Sequence, residues 1–119
     1  MPQGYLTTHV LDTARGIPAA GMTVTLYRSN GTTMEQLAQM ITNADGRTDS
    51  PILPQANFVT GLYELVFEAG AYFDASGVPP ESPRFLDVIR IRFGISDDSS
   101  HYHVPLLVSP FGYSTYRGS

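Results

Sequence analysis

The chain has 119 residues, of which 42% are hydrophobic and 15% charged, and this length and composition predict one globular domain over residues 1–119. Its seven basic residues, all arginine, and eleven acidic residues give a net charge of −4, which argues against nucleic acid or an anionic membrane surface as a partner. The sequence has no cysteine, which excludes disulfides, thiolate metal sites and cysteine nucleophiles.

The first third of the chain predicts two strands joined by a turn-rich segment. Residues 5–11 and 22–28 are short runs of β-branched and aromatic residues, and the second run alternates apolar and polar side chains from Met22 onward. The connecting segment 12–21 contains Gly16, Pro18 and Gly21, which predict turns.

Residues 33–42 carry an ambiguous pattern. Their apolar residues have helical spacing, whereas the turns on either side favour a strand. We predict a strand of moderate regularity because the segment lies between two strand-like runs. The Asn-Ala-Asp-Gly sequence at 43–46 then predicts a turn, and Arg47 follows it directly.

The second half of the chain predicts a strand, a short helix and a loop. In 62–69 the apolar side chains alternate with Glu64 and Glu68, as in a half-buried strand. Residues 70–77 predict a short helix ending at Gly77. Prolines in the segment 78–83 are incompatible with a helix interior or a central strand and predict a loop.

Three further runs close the chain. Residues 84–93 alternate over ten positions, with Phe85 on the apolar side, and predict a strand. Residues 101–109 and 112–117 predict a hairpin whose second arm presents Tyr113, Thr115 and Arg117 on one face. Seven or eight short strands separated by turns predict an all-β sandwich.

The three histidines, His9, His101 and His103, are the natural candidates for proton transfer near neutral pH. His101 and His103 are two positions apart, so a regular strand points both side chains to the same face. Together with His9 they could bind zinc and leave a position open for water. They could equally act as a metal-free acid and base, or be ordinary half-exposed strand residues. The spacing alone leaves these three interpretations open.

Arg47 and the closing segment are further candidates for a functional site. An arginine held just after an Asp-Gly turn could clamp a planar anion or amide with its rigid fork of donors, although an ordinary surface arginine fits the sequence too. The closing SPFGYSTYRGS is rich in aromatics, which suits either a functional segment or support of a sheet edge. The sequence contains no G-x-S-x-G elbow of a serine hydrolase.

The compartment is predicted from what the sequence lacks. No apolar run approaches the roughly 20 residues needed to cross a bilayer. The opening MPQGYLTTHVLD has neither the basic region nor the long apolar stretch of a secretory signal, and no S-K-L peroxisomal signal follows the last strand. We therefore predict a cytoplasmic protein.

Three stretches taken together resemble one family, the 5-hydroxyisourate hydrolases. They are the opening LTTHVLDTARGIPAAGMTVTLYR, the central TNADGR and the closing HYHVPLLVSPFGYSTYRGS. The similarity runs nearly end to end, and the tetrapeptide YRGS is the family's most specific mark. That tetrapeptide also separates these enzymes from transthyretin, a hormone carrier with the same fold.

The resemblance implies a prealbumin-like sandwich of two four-stranded sheets with one short helix, assembled as a homotetramer that is a dimer of dimers. It implies a catalytic set of His9, Arg47 and His103, with no metal and no cofactor. It assigns substrate binding to the YRGS residues, here Tyr116, Arg117, Gly118 and Ser119. His101 is expected at the margin of the pocket or in a structural role.

The resemblance also implies a reaction, the hydrolysis of an amide-like C–N bond in the six-membered ring of 5-hydroxyisourate, on the route from urate to allantoin. Imidazoles can activate water, and a permanently charged guanidinium can stabilise an oxyanion, so the residue types suit this chemistry. Two alternatives stay open at this point. One is a non-catalytic transthyretin-like carrier of small planar ligands, and the other is a zinc hydrolase that uses all three histidines.

Overall fold

The computed structural model describes residues 3–119, which form two four-stranded sheets with one α-helix and a short 3-10 helix, Gln55–Asn57. The elements in chain order are β1 (Tyr5–Asp12), β2 (Ile17–Pro18), β3 (Thr23–Ser29), β4 (Met34–Ile41), β5 (Gly61–Glu68), α1 (Ala69–Ala75), β6 (Val88–Ile95), β7 (His101–Ser109) and β8 (Gly112–Thr115). One sheet has the strand order β2-β1-β7-β8 and the other has β4-β3-β5-β6. The predicted sandwich with one helix is confirmed.

The core lies between the two sheets and is built from their facing apolar side chains. Full burial of one such side chain stabilises the fold by about 1.5–3 kcal/mol. The first sheet contributes residues such as Leu6, Val10, Leu106 and Val108, and the second contributes residues such as Val24, Leu26, Leu65 and Phe67, all fully buried. Within residues 3–119 there is no helix with the length and hydropathy of a membrane-spanning segment.

The central strands of the first sheet, β1 and β7, position the candidate site. They run parallel, with Tyr5 opposite His101 and Thr7 opposite His103. In β1 the even-numbered residues are buried against the core and the odd-numbered residues are half-buried on the opposite surface. In β7 the odd-numbered residues are likewise the less buried ones, except for the buried Pro105. The two strands therefore present one shared outer face, which contains Thr7 and both histidines of β7.

The ambiguous segment 33–42 is an edge strand, as predicted, and a β-bulge explains its irregular pattern. The pairing with β3 shifts by one residue between Leu26, which is opposite Ala38, and Tyr27, which is opposite Gln36. Leu37 is the extra residue, and an extra residue breaks the period of two on which sequence recognition of a strand depends. An exposed apolar residue, Ile41 at 63% exposure, adds to the irregular pattern of this edge strand.

The prediction of a strand over 84–93 is wrong for its first four residues, since β6 begins at Val88. Arg84 instead forms an ion pair with Asp74 of α1, at 2.6 Å, and the carbonyl of Asp87 accepts a hydrogen bond from the backbone N–H of Gly70. Phe85 is 71% exposed and packs near Phe111. The segment follows three prolines, and it crosses the end of the helix before it can join the sheet.

Two other predictions change in detail. The helix predicted over 70–77 occupies Ala69–Ala75, and Gly77 follows it with a φ of 84°. The second arm of the closing hairpin pairs with β7 only over Gly112–Thr115, so Arg117 does not share a strand face with Tyr113 and Thr115. The chain leaves the sheet after Thr115 and returns to β7 at Gly118.

Candidate active site

The outer face of the β1–β7 pair gathers four polar or aromatic rings and one hydroxyl. Thr7 Oγ1 lies 2.6 Å from Nε2 of His101 and 2.7 Å from Nδ1 of His103. The Tyr5 ring stacks on His101, with the ring centroids 4.1 Å apart. The His9 ring lies 6.4 Å from that of His103, between centroids. All three histidines therefore belong to one cluster.

His9 is held in a defined tautomer by the loop that follows β4. Its Nε2 lies 3.0 Å from the carbonyl oxygen of Asp45. A carbonyl oxygen can only accept, so Nε2 must carry the hydrogen and donate it. In the neutral ring, Nδ1 is then the unprotonated nitrogen, which can accept a proton.

The Asp-Gly turn positions Arg47 beside His9. Gly46 has a φ of 76°, and a Cβ at this position would collide with the Val10 carbonyl oxygen. Glycine is therefore required both for the backbone conformation and for the close approach to β1. Arg47 forms an isolated bridge with His9, and its backbone N–H donates to Asn43 Oδ1 at 3.2 Å. Among residues 3–119, the guanidinium has no hydrogen-bond or ion-pair partner, so its donors are available to a ligand.

The closing segment reaches the cluster through Gly118. Its backbone N–H donates to the His103 carbonyl at 2.6 Å, and its carbonyl accepts from the His103 N–H at 3.2 Å. A Cβ on Gly118 would lie 3.2 Å from both Cβ and Cδ2 of His103. The absence of a side chain therefore lets the segment lie directly against the imidazole.

Most of these residues line an open groove with a volume of about 460 Å³, whereas His9 and Gly118 are not among its lining residues. Its walls comprise Tyr5, Thr7, Thr8, Arg47, Thr48, Asp49, Ser50, Pro51, His101, His103 and Ser119. A second cavity of about 470 Å³ lies between β4 and the segment 50–57 and has no histidine in its walls. The groove over the β1–β7 pair is thus where the proton-transfer chemistry is concentrated.

Burial and positive charge keep the imidazoles uncharged at neutral pH. Burial, followed by the Arg47 charge, lowers the pKa of His9. Burial also lowers the pKa of His103, and Arg47, His101 and His9 add to the effect in that order. Burial and then Arg117 lower the pKa of His101. Neutral rings can accept protons, so the site is poised for general base chemistry.

Tyr116 and Arg117 are not brought into this groove within the protomer. The Arg117 guanidinium lies over the ring of Tyr102, 3.9 Å from its centroid, and Tyr102 points to the core side of β7. Both Tyr116 and Arg117 line a separate cavity of about 260 Å³ beside β6. Of the four YRGS residues, Ser119 lines the groove and Gly118 contacts His103, whereas the first two face the other side of the sheet.

The described part of the chain, residues 3–119, contains no group of three or more His, Cys, Asp or Glu side chains arranged to bind a metal ion. One nitrogen on each of the three histidines already has a protein partner, which is Thr7 Oγ1 for His101 and His103 and the Asp45 carbonyl for His9.

Tyr5 and Thr7 are site residues that no motif in the sequence singled out. They are at positions i−4 and i−2 from His9 in a predicted strand, so the period of two already places them on the same face as His9. Their contacts with His101 and His103 could not be predicted, because the parallel pairing of β1 with β7 joins residues more than 90 positions apart.

The comparisons with known proteins agree on one family. The family model described as HIUase/Transthyretin family matches residues 6–118. The 5-hydroxyisourate hydrolase 2 of Rhizobium meliloti (strain 1021) is 57% identical to this chain over 116 residues, which are 98% of this chain and 97% of that protein.

Solved structures show the same similarity. The 5-hydroxyisourate hydrolase of Klebsiella pneumoniae superposes with a TM-score of 0.79 at 40% identity, covering 97% of this chain and 99% of that one. An (S)-allantoin synthase superposes with a TM-score of 0.91 at 46% identity over 98% of this chain, and this chain spans 44% of that protein's length.

Proposed function

The chain belongs to the HIUase/transthyretin family and hydrolyses 5-hydroxyisourate in urate degradation, and we propose that His9, Arg47 and His103 carry out this hydrolysis in the groove on the outer face of the β1–β7 pair. The observation that carries the proposal is that Arg47 and His103 line one groove and His9 lies next to both of them, although the three residues are distant in sequence. His9 and His103 lie 6.4 Å apart between ring centroids, and the charge of Arg47 acts on both.

The two histidines supply the base. In the proposed reaction an imidazole takes a proton from water, and the water oxygen forms a bond to the ring carbonyl carbon of 5-hydroxyisourate. The C–N bond of that amide then breaks, and the imidazolium returns the proton to the leaving nitrogen. The lowered pKa values of His9 and His103 support this role, because a base must be unprotonated before it acts.

Arg47 supplies positive charge where negative charge develops. The attacked carbonyl oxygen becomes an oxyanion in the tetrahedral intermediate. A guanidinium with unoccupied donors beside it stabilises that charge, and removing one such donor typically costs about 2.7–4 kcal/mol of transition-state stabilisation. The turn at Asp45-Gly46, which fixes the backbone of Arg47 against β1, supports this role.

We propose that the segment 116–119 binds the substrate. Gly118 and Ser119 border the groove, which supports direct contact with the bound ring. The stacking of Arg117 on Tyr102 supports a contribution through holding this segment in place. Tyr116 is 60% exposed in the protomer, and we propose that it contributes to a substrate site when protomers assemble.

The assembly we propose is a homotetramer, a dimer of dimers, with the groove facing a channel between dimers. Exposed aromatic residues support it, because Phe111, Tyr113 and Tyr116, in or beside β8, are 65%, 48% and 60% exposed, and exposed apolar patches mark interaction surfaces. Light scattering of the purified protein should give a mass of four times 13.0 kDa. A monomeric mass at micromolar concentration would contradict the assembly.

We also propose the cytoplasm as the working compartment. A chain without cysteine suits a reducing compartment. Cell fractionation followed by immunoblotting of the tagged full-length protein tests this, and recovery in a membrane or secreted fraction would contradict it.

The activity is tested by generating 5-hydroxyisourate from urate with urate oxidase and following its ultraviolet decay. The wild-type protein should accelerate the decay well above the spontaneous rate. The double variant His9→Ala/His103→Ala should return it to near that rate. A double variant as active as the wild type would place the chemistry elsewhere.

A further inference from the structure

The hydroxyl of Thr7 lies between two imidazoles. Its Oγ1 is 2.6 Å from His101 Nε2 and 2.7 Å from His103 Nδ1, and both are short hydrogen-bond distances. The hydroxyl has a single hydrogen, so it can donate to only one ring. When it donates to one ring, the other ring must donate to it, and Thr7 therefore couples the tautomers of His101 and His103.

Two arrangements are possible when both rings are neutral and the hydroxyl donates its hydrogen to one of them. In the first, His103 carries its hydrogen on Nδ1 and donates it to Thr7, and Thr7 donates to His101. In the second, His101 donates to Thr7, Thr7 donates to His103, and Nε2 of His103 must then carry a hydrogen. Only the first leaves Nε2 of His103 free to accept a proton from water.

We propose that Thr7 is a positioning residue for the hydrolysis, and that its hydroxyl accepts from Nδ1 of His103 and donates to Nε2 of His101, which leaves Nε2 of His103 as the base. This inference rests on the proposed function, because it assigns His103 to proton transfer. When His103 takes a proton from water, the resulting imidazolium keeps its Nδ1–H bond to Thr7. The same proton then leaves from Nε2 to the substrate nitrogen, so the network itself loses and gains no proton.

The surroundings of His101 and His103 hold both rings in place for this network. The His101 ring stacks on Tyr5 at 4.1 Å with only 12° between the planes, which holds the acceptor nitrogen towards Thr7. Burial and the Arg117 charge both lower the pKa of His101, which favours a neutral ring near neutral pH with a lone pair on one of its two nitrogens. The His103 ring is fixed from its other side by Gly118, which borders Cδ2, the carbon bonded to Nε2.

The role is tested by comparing Thr7→Val, which keeps the shape and removes the hydroxyl, with Thr7→Ser, which keeps the hydroxyl. Thr7→Val should lower kcat about 10- to 100-fold with KM changed less than about threefold, and Thr7→Ser should retain most of kcat. Thr13→Val is the matched control, because its hydroxyl bonds the Val108 carbonyl at the far end of β1 and should not affect kcat. Thr7→Ala replaces Thr7→Val if the latter does not fold.

A second measurement distinguishes a positioning role of Thr7 from a role in packing. In ¹⁵N NMR spectra at pH 7.5, His103 of the wild type should show the Nδ1–H tautomer, and Thr7→Val should shift it towards the Nε2–H tautomer. A wild-type His103 in the Nε2–H form, or Thr7→Val with wild-type kcat, would overturn the proposal. So would a loss of kcat that Thr7→Ser does not rescue. If instead His103→Ala keeps full turnover, the proposed function fails, while the tautomer spectra still decide the role of Thr7.

Discussion

The two faces of the β1–β7 pair have opposite chemistry although they come from the same two strands. On the inner face, Leu6, Val10 and Leu106 are completely buried in the core. On the outer face, Thr7 and His103 are half-buried and hydrogen-bonded to each other. Adjacent residues thus serve different purposes, and the alternation of a strand is enough to separate them.

This difference means that stability and activity can be changed independently. Inner-face residues stabilise the fold because their apolar side chains are removed from water. Replacing them should therefore lower the free energy of unfolding without altering the chemistry of the folded protein. Outer-face residues provide hydrogen bonds and charge at the groove. Replacing their side chains should therefore slow the reaction while the core stays intact. The variants below test this separation, in order of decreasing expected effect.

The largest effect is expected for the inner face. Leu106→Ala removes a completely buried side chain and should lower the free energy of unfolding by about 2–5 kcal/mol. Leu107→Ala, the next residue on the half-buried outer face, should cost less. Urea unfolding measures both, and the turnover of the Leu106→Ala protein that remains folded should match the wild type. A larger loss for Leu107→Ala would reverse the assignment of the two faces.

Arg47→Gln should slow turnover about 100- to 1000-fold, because the oxyanion loses the positive charge beside it. The variant should keep its unfolding midpoint, since the guanidinium has no hydrogen-bond or ion-pair partner among residues 3–119. Arg90→Gln makes the same change in charge on the other sheet, where Arg90 pairs with Glu64, and should leave turnover unchanged. Equal rates for the two variants would remove Arg47 from the mechanism.

Gly118→Ala should reduce kcat about tenfold. The new methyl group would lie 3.2 Å from His103 Cβ and Cδ2 and push the imidazole by a few tenths of an ångström, and small misplacements of a catalytic group are costly. Gly112→Ala is the control in the same sheet, since its Cβ would meet only Ser109 Oγ at an ordinary 3.8 Å. If both variants keep wild-type kcat, the contact of Gly118 with His103 has no role in catalysis.

The smallest expected effect is a shift in the pH dependence of kcat/KM. The pKa values of His9 and His103 are lowered, so kcat/KM should stay level at pH 7 and fall on a limb centred below the ordinary histidine value of about 6.5. Because the unfolded chain binds these protons more tightly, stability should also fall as the pH drops below 6.5. Arg47→Gln should move the limb up towards 6.5. A limb centred above 6.5 in the wild type would contradict the burial of the imidazoles.

The sequence predicts the strands well wherever their residues alternate, as in β3, β5 and β7. It fails where another interaction overrides the alternation. The segment 84–87 bonds to the helix rather than the sheet, and the bulge at Leu37 hides the period of β4.

The candidate site is predicted in its parts but not in its arrangement. His9, Arg47 and His103 can be named from motifs that resemble those of the family, and the structure places Arg47 and His103 in the walls of one groove with the His9 ring 6.4 Å from that of His103. The bridge that Thr7 makes between His101 and His103 depends on the register of two strands at opposite ends of the chain, which no local pattern encodes. The direction of Arg117, towards Tyr102, depends on where the chain leaves β8.

The most direct test of the account compares two neighbouring residues of β7, the outer-face His103 and the inner-face Val104. Turnover of 5-hydroxyisourate and the free energy of unfolding should be measured together for His103→Ala and Val104→Ala. We predict that His103→Ala loses at least about 100-fold in kcat with little change in stability, whereas Val104→Ala loses stability and keeps the kcat of its folded fraction. Near-normal kcat in His103→Ala, with Val104→Ala the slower enzyme, would contradict the account.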